Sequence, residues 1–187
     1  CHIAPIHLLD METGEYNISY VKKYFPNEKM ALIKGVQRQQ GFIVQKGNPM
    51  NIKGFKDLVE NEVVYVNRQK GAGTRVLLDY HLGLNNIDSS KIRGYERELN
   101  THMSVAAAVK TGSATTGLGV YSAAKAMDLD FVEVAFEDYD FLIKCDLLED
   151  ERIKKFIQII KSAEFKDILR SLGGYGFRNT GEIIIIE

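Results

Sequence analysis

The stretch from Asn67 to Gly83, NRQKGAGTRVLLDYHLG, sets Gly71, Ala72, Gly73, Thr74 and Arg75 between the strand-like EVVYV and an amphipathic run. These residue types suit the holding of an anion. Glycines let a backbone approach a ligand closely, the Thr74 hydroxyl can donate or cap, and Arg75 carries a planar fork that matches an oxyanion. The pattern lacks the Gly-Lys-Ser/Thr of a P-loop and the third glycine of a dinucleotide fingerprint. On pattern alone two readings stand. One is an anion site at a helix start; the other is an ordinary strand-to-helix turn, with Thr74 as N-cap and Arg75 in a surface ion pair.

Two further segments offer the same chemistry. NTHMSVAAAVKTG has Thr101 as a candidate N-cap with His102 beside it, Lys110 in the last turn and Gly112 at the stop. TTGLGVYSAAKAMDL repeats the order strand, Gly-x-Gly, helix, and brings Gly119 into the candidate set. Helix starts at Thr74, Thr101 and Val120 each follow an extended segment and can face one cleft, where free N–H groups and positive dipole ends favour anions. Catalytic patterns are missing. His2, His7, His81 and His102 have no metal-ligand spacing, no GxSxG elbow occurs, and neither cysteine has an evident histidine partner. EDYD at 137–140 reads as a solvated loop. No catalytic residue, metal or cofactor is therefore assigned, and binding is expected rather than catalysis.

Positioning these residues requires strands alternating with helices. A short helix near Ser19 to Phe25 precedes the extended MALIKGVQRQQGFIVQKGN. NIKGFKDLVE reads as a short surface helix, 63–67 as a strand and 74–82 as a helix. DFVEVAFEDYDFLIKCD reads as a pair of short strands, EDERIKKFIQIIKSAEFKDILRSLGGYG as one or two amphipathic helices, and GEIIIIE as a final strand. The alternation predicts an α/β fold on a mainly parallel sheet. No Pro-rich or Ser-rich linker divides the chain, so two lobes would be joined by extended segments, 36–47 and 132–142.

With 187 residues and 45% hydrophobic content, the chain can bury a substantial core. Its 24 basic and 25 acidic side chains give a net charge of -1 without large blocks of one sign, which argues against nucleic acid or an anionic membrane as partner. No apolar run approaches the roughly 20 residues of a membrane span, and no signal-peptide pattern is seen. Cys1 and Cys145 cannot form a disulfide framework, Cys145 reads as a buried thiol, and the expectation is a reducing compartment. An acylated Cys1 would call for a polar tether, whereas apolar sequence begins at Ile3.

The runs CHIAPIHLLDMETGEYN, RQQGFIVQKGNP, VNRQKGAGTRVLLDY, GYERELNTHMSVAAAV, TTGLGVYSAAKAMDLDF and LGGYGFRNTGE together resemble the periplasmic-binding-protein-like domain linked to molybdate. In that family the domain is fused to molybdopterin-biosynthesis proteins or to helix-turn-helix DNA-binding segments, or stands alone. The resemblance implies a type II periplasmic-binding-protein fold: two α/β lobes joined by crossing strands, residues 1–40 with 138–187 and residues 41–137. It implies a small oxyanion ligand, molybdate or tungstate, and a cytoplasmic sensor or carrier role beside a fused or partner domain. Ala72 departs from the family's Gly-Ser-Gly-Thr-Arg and removes one hydroxyl. Such domains also begin earlier, so the first lobe is expected to lack its N-terminal part, leaving Ile3 and Ile6 exposed and favouring homo-oligomers. An enzyme of molybdenum-cofactor assembly, with Tyr95 and Tyr121 walling a pterin, and an interaction module with a vestigial site remain as alternatives.

Overall fold

The computed structural model describes residues 2–187; Cys1, and with it the question of acylation, lies outside the described residues. In chain order the elements are β1 (Ala4–Ile6), α1 (Ile18–Tyr24), β2 (Met30–Val44), β3 (Asn67–Arg68), α2 (Gly73–Leu84), β4 (Glu98–Leu99), α3 (His102–Lys110), β5 (Thr116–Val120), α4 (Tyr121–Ala126), β6 (Asp130–Lys144), α5 (Glu151–Lys161), α6 (Ala163–Leu172), β7 (Tyr175–Gly176) and β8 (Ile183–Ile186). This is a mixed α/β fold. It divides into two compact units, Cys1–Arg38 with Phe136–Glu187, and Gln39–Ala135. By these bounds β2 and β6 each contribute residues to both.

In the first unit β1 pairs antiparallel with β6, Pro5 opposite Phe141, and β2 pairs antiparallel with β8 and β7, Leu32 opposite Ile184 and Arg38 opposite Tyr175. Successive strand residues point to opposite faces. Leu32 and Leu142 accordingly pack with Val21 of α1, while Ala31, Ile33 and Ile143 pack with Ile153 and Ile160 of α5. Both faces are covered, which is why Met30 to Ile33 is apolar without alternation. The amphipathic run at 151–172 is two helices: Ser162 ends α5, and its Oγ accepts from Phe165 N to cap α6. Ile3 and Ile6, expected to be exposed, are half-buried against these two cores. Cys145, expected to be buried, is also half-buried.

In the second unit β5 pairs antiparallel with β2, Gly41 opposite Gly119. β3 and β4 pair in parallel, as do Tyr65 and Thr116. Val105, Ala106 and Val109 of α3 pack with Ala123 and Ala124 of α4 in one core. Leu78 and Leu82 of α2 pack with Phe42, Leu58 and Tyr65 in another. The segment expected as a surface helix is a 3-10 turn, Phe55–Val59, anchored by fully buried Leu58 and by Ile52 at 1% exposure.

Three further expectations are corrected. The sheet is not mainly parallel: the pairings of β1, β5, β7 and β8 are antiparallel. A strand-helix alternation shows that segments return, but not which strand each one meets, and most return to the long strands β2 and β6. Residues 130–144 form one strand rather than two, and EDYD is no solvated loop. Glu137 and Asp140 are 2% and 0% exposed, and their charges are matched by Arg38 and Lys34. A paired carboxylate can be buried where an unpaired one would break the strand.

Candidate functional site

The site is built on the parallel pair β3–β4. Asn67 lies opposite Glu98 and Arg68 opposite Leu99, and Gln69 N donates to Leu99 O at 3.3 Å. Four residues separate β3 from α2, and two separate β4 from α3. Because the strands run in the same direction, both helices start from one edge, and their positive dipole ends face the same side.

The two helix starts differ in their caps. Thr101 caps α3, its Oγ1 accepting from Ser104 N at 2.9 Å and lying 2.6 Å from Ser104 Oγ. Ala72 stands at the N-cap of α2, where its methyl group offers no acceptor and no side-chain cap is made. Gly71 precedes it at φ +85°, a conformation that side-chain-bearing residues rarely adopt, so the turn itself requires this glycine. The space around its Cα is open.

Thr74 is 3% exposed, and its Oγ1 donates to Oε1 of Gln40 at 3.3 Å. Gln40, on β2 at 1% exposure, lies opposite Val120, next to Gly119 on β5. A Cβ on Gly119 would lie 2.7 Å from Cδ1 of Ile43 and 3.7 Å from Nδ1 of His102. Thr74 is thus joined to Gln40, and His102 lies near Gly119 on the neighbouring strand, with Gly71 to Gly73 and Thr101 at the two helix starts.

Arg75 is the exception. It is 4% exposed, and its ion pairs reach outward from a buried guanidinium to partly exposed carboxylates. Nε lies 3.3 Å from Asp79 Oδ2, Nη1 lies 3.4 Å from Glu98 Oε1, and the guanidinium carbon is 4.0 Å from the Tyr95 ring centre. Tyr95 in turn donates to Asp79 Oδ1 at 2.7 Å. Burial opposes the charge on Arg75, but Tyr95 and Asp79 outweigh it and hold the guanidinium above its ordinary pKa. The fork expected to face a ligand is held by protein groups.

Sequence reasoning missed Gln40, Asp79 and Glu98. Gln40 is one polar residue in a long extended run, and the two acids are scattered along the chain, so no local pattern marks them. The tyrosines considered as pterin walls are also engaged. Tyr95 lies under Arg75, and Tyr121 packs edge-on against Phe131 at 5.4 Å between ring centres. Two grooves in this unit, about 260 Å³ beside Gln45 and Gly112 and about 400 Å³ beside Tyr121 and Asp130, are lined by none of the candidate anion-binding residues; Tyr121, considered for a pterin, lines the second. Among the described residues, no cluster of three or more His, Cys, Asp or Glu could hold a metal ion, and no helix is long and apolar enough to cross a membrane.

A mixed α/β chain with two long strands shared by two units has the architecture of periplasmic-binding-protein-like domains. The chain belongs to that family: residues 1–161 match the PBP superfamily domain. The uncharacterized protein YvgK of Bacillus subtilis strain 168 is 39% identical over 186 residues, covering 99% of this chain and 59% of YvgK. The chain thus spans about three fifths of that relative's length. A substrate-binding domain from Clostridium difficile, described as part of a molybdenum ABC transporter, superposes with a TM-score of 0.59 at 14% identity, covering 94% of this chain and 76% of that one. An ABC-type phosphate transport receptor from Vibrio cholerae gives 0.56 at 15% identity, covering 94% and 79%. At such identities the two structures share a fold with this chain, and their ligands remain their own.

Proposed function

We propose that this chain is a non-catalytic binding module for a small oxyanion, molybdate or tungstate, serving as a cytoplasmic sensor or carrier for a fused or partner domain in molybdenum metabolism. One observation carries the reading: the parallel β3–β4 pair starts α2 and α3 from the same edge, and α2 lacks a side-chain cap. A tetrahedral dianion has no side groups to be read and is held well by many N–H and O–H donors. The first-turn N–H groups of Gly73 and Thr74 would supply donors from one side, with the Thr74 hydroxyl turning from Gln40 to the anion, and Thr101 and His102 from the other. Gly119 would leave room for His102. The resemblance of the sequence and the transporter neighbour favour molybdate; the phosphate receptor makes phosphate the natural competitor.

Calorimetric titration with molybdate, tungstate, sulfate and phosphate tests the proposal. Saturable binding of molybdate or tungstate, lost in Thr74→Val, is the expected result. Flat traces for all four anions would overturn it.

A further inference from the structure

Arg75 is the residue whose type best suits an anion and whose placement suits it least. It lies on the first turn of α2, where the helix dipole disfavours a cation. Its guanidinium is offset by Asp79 on its own helix and by Glu98 on β4, which lies 23 residues away in sequence and three residues before Thr101. The ring of Tyr95 covers the flat face of the fork, and the Tyr95 hydroxyl fixes Asp79 in turn. A side chain only 5% exposed and held on three sides has little freedom to turn toward a ligand.

What this arrangement does is join two elements. Arg75 belongs to the first turn of α2, and Glu98 belongs to the strand that delivers α3. We infer that Arg75 is a positioning residue, a brace that sets the spacing between the α2 and α3 starts, and that it does not itself contact the ligand. The inference rests on the oxyanion reading of the same site. It also bears on the character of the site: the Arg75 guanidinium, already matched by two carboxylates, is not one of the anion's donors.

The discriminating substitution is Glu98→Gln, a conservative change at a partly exposed side chain. If Arg75 contacted the anion, removing Glu98 would release the fork and remove a nearby negative charge, and affinity would rise. If Arg75 is a brace, Glu98→Gln loosens it, and molybdate affinity falls roughly tenfold against that electrostatic trend. Arg75→Gln should give a similar loss, and the double variant should lose no more than the single ones, because all three break one link. Higher molybdate affinity in Glu98→Gln, or strictly additive losses, would overturn the inference.

A second measurement needs no ligand and so separates this inference from the binding reading. In the anion-free protein, the amide resonances of Gly73 and Thr74 should shift, and their exchange quicken, on Glu98→Gln. Unchanged Gly73 and Thr74 amides would sink the brace even if every titration were flat. Moved amides with flat titrations would leave the brace standing and refute oxyanion binding.

Discussion

The ammonium of Lys34 stands 2.7 Å from Oδ2 of Asp140, a carboxylate with no solvent exposure. Asp140 also accepts from Asn17 Nδ2 at 2.9 Å and from Gly35 N at 3.1 Å, while Lys34 reaches Asp138 at 2.9 Å. These contacts pin β6 to β2 inside the first unit and leave the buried charges matched. Lys34→Met should therefore destabilise the protein by about 3 kcal/mol, since it strands a buried carboxylate, and urea unfolding at pH 7 would measure it.

The same pair gives a pH dependence with a definite sign. Burial pulls the Lys34 pKa down, but hydrogen bonds to Asp140 and Asp138 overcome it and leave it above the ordinary 10.5. A raised lysine contributes stability in full below 10.5 and loses it as pH rises through the folded value. The stability gap between the parent protein and Lys34→Met should stay level from neutral pH to about 10 and narrow above that. A gap that failed to narrow as pH rises above the ordinary lysine value would contradict this assignment.

His81 should behave in the opposite sense. Its ring stacks on Phe55 with centres 4.5 Å apart, and burial lowers its pKa from 6.5. The unfolded chain then binds a proton more readily than the folded one, so stability is present above pH 6.5 and declines as pH falls through the folded pKa. Proton NMR titration of His81 should give a midpoint below 6.5, and His81→Phe should flatten the loss of stability between pH 6.5 and 5. A midpoint above 6.5 would be incompatible with the packing.

Gly41 is fixed by close approach rather than by backbone angle. A Cβ there would lie 2.2 Å from the Val132 carbonyl and 2.7 Å from the Phe131 ring. Gly41→Ala should cost about 3 kcal/mol because the obstacle is partly backbone and cannot rotate away. Thermal unfolding would show it, and an unaltered midpoint would mean that the strands separate there without penalty.

Thr101→Ala separates capping from binding. Loss of the bond from Ser104 N should cost about 1 kcal/mol of stability. If Thr101 also serves the anion, molybdate affinity should fall by about tenfold, whereas Thr101→Ser should retain most of both properties. A variant destabilised to this degree with unaltered affinity would make Thr101 a cap alone.

Local features were legible in the sequence wherever their cause is local. Thr101 as a cap, Lys110 in the last turn and Gly112 at φ +74° follow from backbone groups that neighbouring residues must satisfy or release. The α/β character and the glycine-led turn before α2 likewise follow from periodicity and from the backbone freedom of Gly71. Other features depend on partners distant in sequence. Nothing near EDYD announces that Lys34 and Arg38 will match Asp140 and Glu137, so a buried continuous strand read as two strands and a loop. Nothing beside Arg75 announces Glu98 or Tyr95, so the sequence left a fork for an anion and an ion-paired guanidinium as equal readings. The antiparallel partners of β2 belong to the same class. Sequence determined which segments could be strands and which turns could bear an anion; tertiary structure decided which charges are matched, because a buried charge is tolerated only where folding supplies its counterpart.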